Sequence, residues 1–170
     1  SCTLAWVHEF AELLKDDPQW HDRAKKQAAK MHEISQFLVD ILKFDRESLG
    51  EINATVTMHD PCHMSRGIKV TAQPREILNS IPGLKLLEMK EPARCCGAGG
   101  SFCVAHYDVA RKINERKIED IESTQADFVA TSCGMCRMHI NDGLVQKGLN
   151  QDTMHTVQFL DKAYQAKRVK

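Results

Sequence analysis

Five cysteines of this chain fall in the order C-x32-C-C-x36-C-x2-C: Cys62, then Cys95 and Cys96, then Cys133 and Cys136. Thiols spaced this widely act together only if the fold delivers three separate loops to one place. That requirement favours an architecture in which several segments end along a common edge. Disulfides are a poor alternative, because the seven cysteines are odd in number and two are adjacent, unlike the frameworks of small secreted domains. A reducing, cytoplasmic compartment is the default for such a chain.

The residues ahead of each group show how the edge is built. Residues 55–59 are rich in β-formers and run into Asp60-Pro61-Cys62. Residues 85–89 form a second candidate strand ahead of Cys95 and Cys96, and 128–131 a third, ahead of Ser132-Cys133. Residues 154–156 are a short fourth candidate. Between them lie helical stretches: one opened by Pro74 and closed at Pro82-Gly83, one with Phe102, Ala105, Val109 and Ile113 on an apolar face, one over about 134–147, and a last one bearing Val157, Leu160 and Tyr164. Strands alternating with helices predict right-handed crossovers and a small parallel sheet of about four strands, an α/β fold.

The first fifty residues read differently. Trp6, Phe10 and Leu13 recur at helical spacing, as do Ala24, Ala28, Met31, Ser35, Leu38 and Leu42. Asp17-Pro18 between them is an N-cap followed by proline at the first helical position. We therefore expect a helical hairpin over 1–50, a remnant of or connection to a preceding domain, and a cysteine-rich α/β domain over 51–170.

Composition narrows the function. The chain has 170 residues, enough to bury about 70% of its unfolded surface without staples. Its 23 acidic and 23 basic residues balance, which argues against a nucleic-acid binder. Arg23, Lys25, Lys26 and Lys30 alternate with alanines and read as a solvated helix face. No apolar run approaches the ~20 residues of a membrane span, and no basic segment precedes an apolar one as in a signal peptide.

In an open parallel sheet, ligands bind outside the carboxyl ends of the strands, where all three cysteine groups would lie. Residues 134–137 would form the first turn of a helix, and 97–100 lead into another. Amides there lower thiol pKa and stabilise negative charge. Thiolates suit zinc, copper(I) or iron–sulfur clusters. Singly, each piece has a plainer reading. C-x2-C also serves zinc sites and redox dithiols, an adjacent cysteine pair can be two half-buried thiols, and Gly97-Ala-Gly-Gly100 lacks the lysine of a phosphate loop.

Together, His59-Asp-Pro-Cys-His63, Gln73-Pro-Arg-Glu-Ile-Leu78, Cys95-Cys-Gly-Ala-Gly-Gly100 and Cys133-Gly-Met-Cys136 resemble the cysteine-rich CCG domain. That family includes the cysteine-rich subunit of heterodisulfide reductase and the iron–sulfur subunits of glycolate oxidase and lactate-utilisation complexes. The likeness covers roughly 55–165 and includes His155-Thr-Val and Phe159-Leu. It implies a [4Fe–4S] cluster on Cys62, Cys95, Cys96, Cys133 and Cys136, noncubane in heterodisulfide reductases. It also implies partner redox subunits, flavin-bearing or ferredoxin-like and in some relatives linked to membrane quinone. A cytoplasmic place follows, at the inner face of the membrane through such partners. Full-length relatives carry two motifs; here there is one, and Cys2 resembles a ligand of a preceding motif. The expectation is therefore a C-terminal CCG domain that does not turn over alone.

Around these cysteines, His59 and His63 are read either as donors to cluster or substrate or as satisfied structural histidines, with the structural reading favoured. His155 is placed near the site edge, and His106 and His139 on helix surfaces. Arg94 is either paired with cluster charge or solvated, and Cys103 is a buried packing residue. The leading function is electron transfer in a multisubunit oxidoreductase acting on a 2-hydroxy acid or a disulfide. The rival is a structural zinc module that docks subunits; zinc prefers four ligands and would leave one of the five cysteines spare.

Overall fold

The computed structural model describes residues 2–168. Strands β1 (Ala54–His59), β2 (Leu84–Leu86), β3 (Phe128–Thr131) and β4 (Asp152–His155) form one all-parallel sheet in the order β2-β1-β3-β4. The α/β expectation holds.

Alternation along each strand divides the residues between two faces. One face carries Val56, Met58, Leu84, Ala130 and Met154. It packs on Ile77 and Leu78 of helix Ala72–Ser80 and on Phe159, Leu160 and Ala163 of helix Thr156–Arg168. The other face carries Thr57, His59, Val129, Thr131 and Thr153. It lies beneath Ile118 and Ile121 of helix Tyr107–Thr124 and Cys136, Ile140 and Leu144 of helix Gly134–Lys147. Full burial of a side chain such as Ile77 or Phe159 contributes about 1.5–3 kcal/mol, so the first face supplies much of the stability.

The strand order also locates a crevice. β1 and β3 are neighbours, yet β1 leads to a helix on the aliphatic face and β3 to one on the threonine-rich face. Connections that leave adjacent strands in opposite directions open a gap at their carboxyl ends. Cys62 follows β1 and Cys133 follows β3, on the two lips of that gap.

Three local expectations change. β2 is shorter than 85–89. The Leu87 amide still donates to Val56 O at 2.8 Å, but the Asp120 carboxylate then accepts from the Lys90 and Glu91 amides, each at 3.0 Å. The chain is thus drawn off the sheet. The 102–113 stretch breaks at His106 and turns Ala105, Val109 and Ile113 outward. The buried stripe is Ala110, Asn114, Lys117, Ile118 and Ile121, since the polar members bond to the cysteine loop and pull that side inward.

In the N-terminal segment, a helical run over 2–13, π-helical at Ala5–Glu9, packs against helix His21–Ala28. Asp17 accepts from the Gln19 and Trp20 amides at the turn, but the helix itself starts later than expected, at His21, with Trp20 at its N-cap position. The expected continuous second arm to Leu42 is interrupted. The Glu33 carboxylate accepts from Ser35 and Gln36 and starts a new helical run over 34–42, which packs on the sheet unit. At the joint, Gly50 N–H donates to Ala163 O at 2.8 Å, and a Cβ there would stand 2.4 Å from Lys167 N. Only glycine permits that approach. Among the described residues, no helix is long and apolar enough to cross a membrane.

Candidate metal centre

The loops after β1 and β2 are tied to each other before any thiol is considered. The Asp60 amide donates to Pro92 O at 3.0 Å. The Arg75 guanidinium reaches both Asp60 carboxylate oxygens, at 2.8 and 3.0 Å, and both Glu88 oxygens, at 2.6 and 3.0 Å. Such forked pairs fix geometry as well as charge. Burial opposes the charge on Arg75, but bonds to Glu88 and Asp60 outweigh it and hold its proton affinity above the usual arginine value.

Helix Tyr107–Thr124 supports the second loop from below. Lys117, with a fully buried side chain, donates to Glu91 O at 2.6 Å; burial lowers its pKa, and Asp120 counters that. Asn114 donates to Cys96 O at 2.8 Å and to His139 O at 3.1 Å, joining the loop to helix Gly134–Lys147. Gly97 has φ +85°, and a Cβ on it would lie 2.5 Å from Ala110 O. Glycine is therefore required just after the cysteine pair.

On this frame cysteines from the three loops approach one another to different degrees. Cys96 Sγ, Cys136 Sγ and a ring nitrogen of His59 lie within 4.8 Å of one another, all buried. Cys136 is close enough to Cys96 and Cys133 to shift the proton affinity of both, and Cys62 close enough to Cys95 and Cys96 to be affected by their charge. Cys95 is exposed, takes the Gly97 amide on its sulfur at 3.3 Å, and opens toward Arg94, Lys112 and Arg116. No cysteine among the described residues forms a disulfide.

The thiols divide protons unequally. Its bond with Cys136 brings the Cys133 pKa down to about 5 against the effect of burial, helped by the nearby Cys136 and Met135 amides. Cys96 is also lowered, chiefly by Cys136 and then by His59. Cys136 is raised by its bonds to Cys133 and Cys96, and Cys62 by burial and then by Cys95. Two sulfurs thus favour the thiolate form before metal binds. Cys133 also stands at the N-cap position of a 14-residue helix, next to its positive end. A buried group of soft, partly ionised sulfurs fits a thiolate-bound metal or cluster.

The remaining assignments divide. Cys103 is buried, its Sγ donating to Gly100 O at 3.2 Å, as expected of a packing residue. His155 lines an open groove of about 770 Å³ with Cys133, His63 and Cys2, so it does reach the site edge. His63 and His106 are exposed. His139 is not a surface residue: it is buried, 3.3 Å from Ala110 O, where the close contact at Gly97 draws the helices together. Arg94 pairs with Glu91. His59 is not a satisfied structural histidine, since neither ring nitrogen has a hydrogen-bond partner. A buried polar group left that way costs about 1–3 kcal/mol.

Sequence reading missed Arg75, Asn114 and Lys117 as supports. Arg75 stood in view within the Gln73-Pro-Arg-Glu motif. Lys117 and Asn114 were signalled by their positions on a helical stripe with Ala110, Ile118 and Ile121.

Residues 56–141 match the family of the cysteine-rich domain, CCG. Lactate utilization protein A of Halalkalibacterium halodurans is 40% identical over 162 residues, covering 95% of this chain and 65% of the relative. Lactate utilization protein A of Bacillus subtilis is 34% identical over 163 residues, 95% of this chain and 67% of its own length. The fumarate reductase (CoM/CoB) of Methanothermobacter marburgensis has a subunit 41% identical over 133 residues, 78% of this chain but 27% of the relative. The chain thus spans between about a quarter and two thirds of these relatives. The cysteine groups that match stand at the strand ends where the geometry needs them, and the chain belongs to the cysteine-rich CCG domain family.

Proposed function

We propose that this chain is an iron–sulfur redox module in which Cys62, Cys95, Cys96, Cys133 and Cys136 hold a [4Fe–4S] cluster. The observation that carries the reading is the buried meeting of Cys96, Cys136 and His59, with Cys133 beside Cys136 and Cys62 near Cys95 and Cys96, all of them unbridged. Such a cluster supplies reversible one-electron transfer. The chain's own part is to hold Cys96 and Cys133 toward the thiolate form, keep Cys96 and Cys136 away from water, and leave Cys95 at the surface. Five thiolates exceed the four that zinc takes, which favours a cluster, of noncubane type if all five bind.

The work of the whole protein extends this reading. Likeness to lactate utilization protein A and to part of a fumarate reductase supports a place among several redox subunits. Flavin-bearing or ferredoxin-like partners and a 2-hydroxy acid or a disulfide as the ultimate substrate fit that place. Residues 51–170 then form the metal-holding unit, and 1–50 a helical extension that offers Trp6, Phe10 and Leu13 for contact.

One observation favours a second reading. His59, Cys96 and Cys136, with Cys133 beside them, make a three-sulfur, one-nitrogen set of the kind structural zinc uses. Anaerobic supply of iron and sulfide, then metal analysis and a visible spectrum, decides. A brown chain with about four irons is expected. A colourless chain with one zinc and no iron rejects the redox reading.

A further inference from the structure

His59 ends β1 with 1% of its surface exposed, and neither of its ring nitrogens has a hydrogen-bond partner. Its sheet row is His59, Thr131, His155, and the Thr131 hydroxyl beside it is likewise buried without a partner. The neighbouring Asp60 amide is already given to Pro92 O. What the ring does approach is sulfur: one of its nitrogens, Cys96 Sγ and Cys136 Sγ lie within 4.8 Å of one another. A buried imidazole is normally satisfied by some partner, and here the thiols are the candidates on hand.

Building on the iron–sulfur reading above, we propose that His59 is a positioning residue of the centre whose ring N–H donates to the Cys96 sulfur. A neutral imidazole has one N–H to give. Both sulfurs lie within reach, and Cys96 is the one whose backbone is already anchored, by Asn114, so that its sulfur is held in place for the ring. The ring does not ligate iron, since the five thiolates already supply the ligand set. Hydrogen bonds to cluster sulfurs favour the more negative, reduced state and raise the reduction potential. The bond also fixes the side chain of Cys96, whose backbone Asn114 already holds.

The test compares the 170-residue chain with its His59→Leu and His59→Gln forms, each loaded anaerobically with iron and sulfide. At a fixed ambient potential, His59→Leu should lower the reduced-to-oxidised ratio about tenfold, equivalent to about 59 mV for one electron. His59→Gln, which keeps a donor, should recover part of the shift. In the unsubstituted chain labelled with nitrogen-15 histidine, pulsed electron paramagnetic resonance should show a weak nitrogen coupling and an exchangeable proton. An unmoved potential in a loaded His59→Leu overturns the proposal, as does a strong coupling from a direct iron–nitrogen bond. Should His59→Leu fail to fold or to load, the coupling in the unsubstituted chain decides alone. Failure of the underlying reading looks different: the unsubstituted chain itself takes up zinc and no iron.

Discussion

The two faces of the sheet are built on opposite principles. One is dry and aliphatic, with Val56, Met58, Ile77, Leu78 and Phe159 all at or below 1% exposure. The other carries Thr57, His59, Thr131 and Thr153, whose side-chain polar atoms are buried without partners, beneath a layer that includes Cys96 and Cys136. Thr57, Val129 and Thr153 form one row across β1, β3 and β4, and His59, Thr131 and His155 the next, nearer the thiols. A sheet optimised for stability alone would not place polar groups there. Proteins tend to break local rules where they have a site. The contrast teaches that one face holds the fold and the other gives up some stability to hold the chemistry.

The largest expected effect lies on the aliphatic face. Phe159 packs edge-on against Phe128, ring centroids 6.0 Å apart. Phe159→Ala should lower unfolding free energy by about 3–5 kcal/mol in urea titration, while the fraction that remains folded still takes up metal normally. A folded variant that lost its metal would show that the faces are not separable.

Next comes the clamp that joins the loops. Asp60 and Arg75 are mostly buried, with side chains 6% and 21% exposed. Breaking a fully buried pair costs about 3–5 kcal/mol, and partial exposure should reduce this to about 2–3 kcal/mol for Arg75→Met. Unlike Phe159→Ala, this change should also depress iron uptake, because Arg75 holds the loops that carry Cys62 and Cys95. Normal uptake by a destabilised Arg75→Met would reduce the clamp to a packing role.

How much of this contrast was legible beforehand depends on the physics of each part. β1, β3 and the helices after them were readable, because β-branched runs and glycine or proline punctuation are local signals. The meeting of Cys96 with Cys136 followed from the places of their loops at strand ends. The inward side of Tyr107–Thr124 was misjudged because burial there is set by Asn114 and Lys117 bonding to distant backbone, and a count of apolar residues cannot register that. His59 was misjudged for a related reason. Whether a histidine finds a partner depends on the neighbouring strand and two remote loops, none of them close in sequence. Arg75 could be quoted in a motif, but its task emerged only with Glu88 and Asp60 placed on either side.

A smaller effect is expected from removing the metal altogether. The aliphatic face contains no thiol, and a chain of this length supplies its own core. Chelation should therefore leave far-UV circular dichroism nearly unchanged, with faster amide exchange confined to about 60–66 and 94–101. Collapse of helical signal would mean that metal binding and folding are one event, and the division between the faces would fall.

The smallest effect on stability should accompany a complete effect on metal, and one pair of substitutions isolates it. Cys95 is exposed and contributes little to the core, whereas Cys103 is buried at 4% exposure. On packing grounds alone Cys103→Ser should be the costlier change, about 1 kcal/mol, from putting a more strongly hydrated group in a buried position. Cys95→Ser should fall within the ±0.5 kcal/mol typical of surface substitutions. Metal content should run the other way. A hydroxyl is a harder, far less acidic donor than a thiol, so Cys95→Ser should lose most of its iron while Cys103→Ser keeps it. Measuring both variants by urea unfolding of the metal-free chain and by iron analysis after anaerobic loading gives four numbers. If stability and iron content fall together in either variant, burial governs metal uptake and the ligand assignment of Cys95 is wrong. If they move in opposite directions, the exposed sulfur belongs to the centre for its chemistry, and the buried one to the fold.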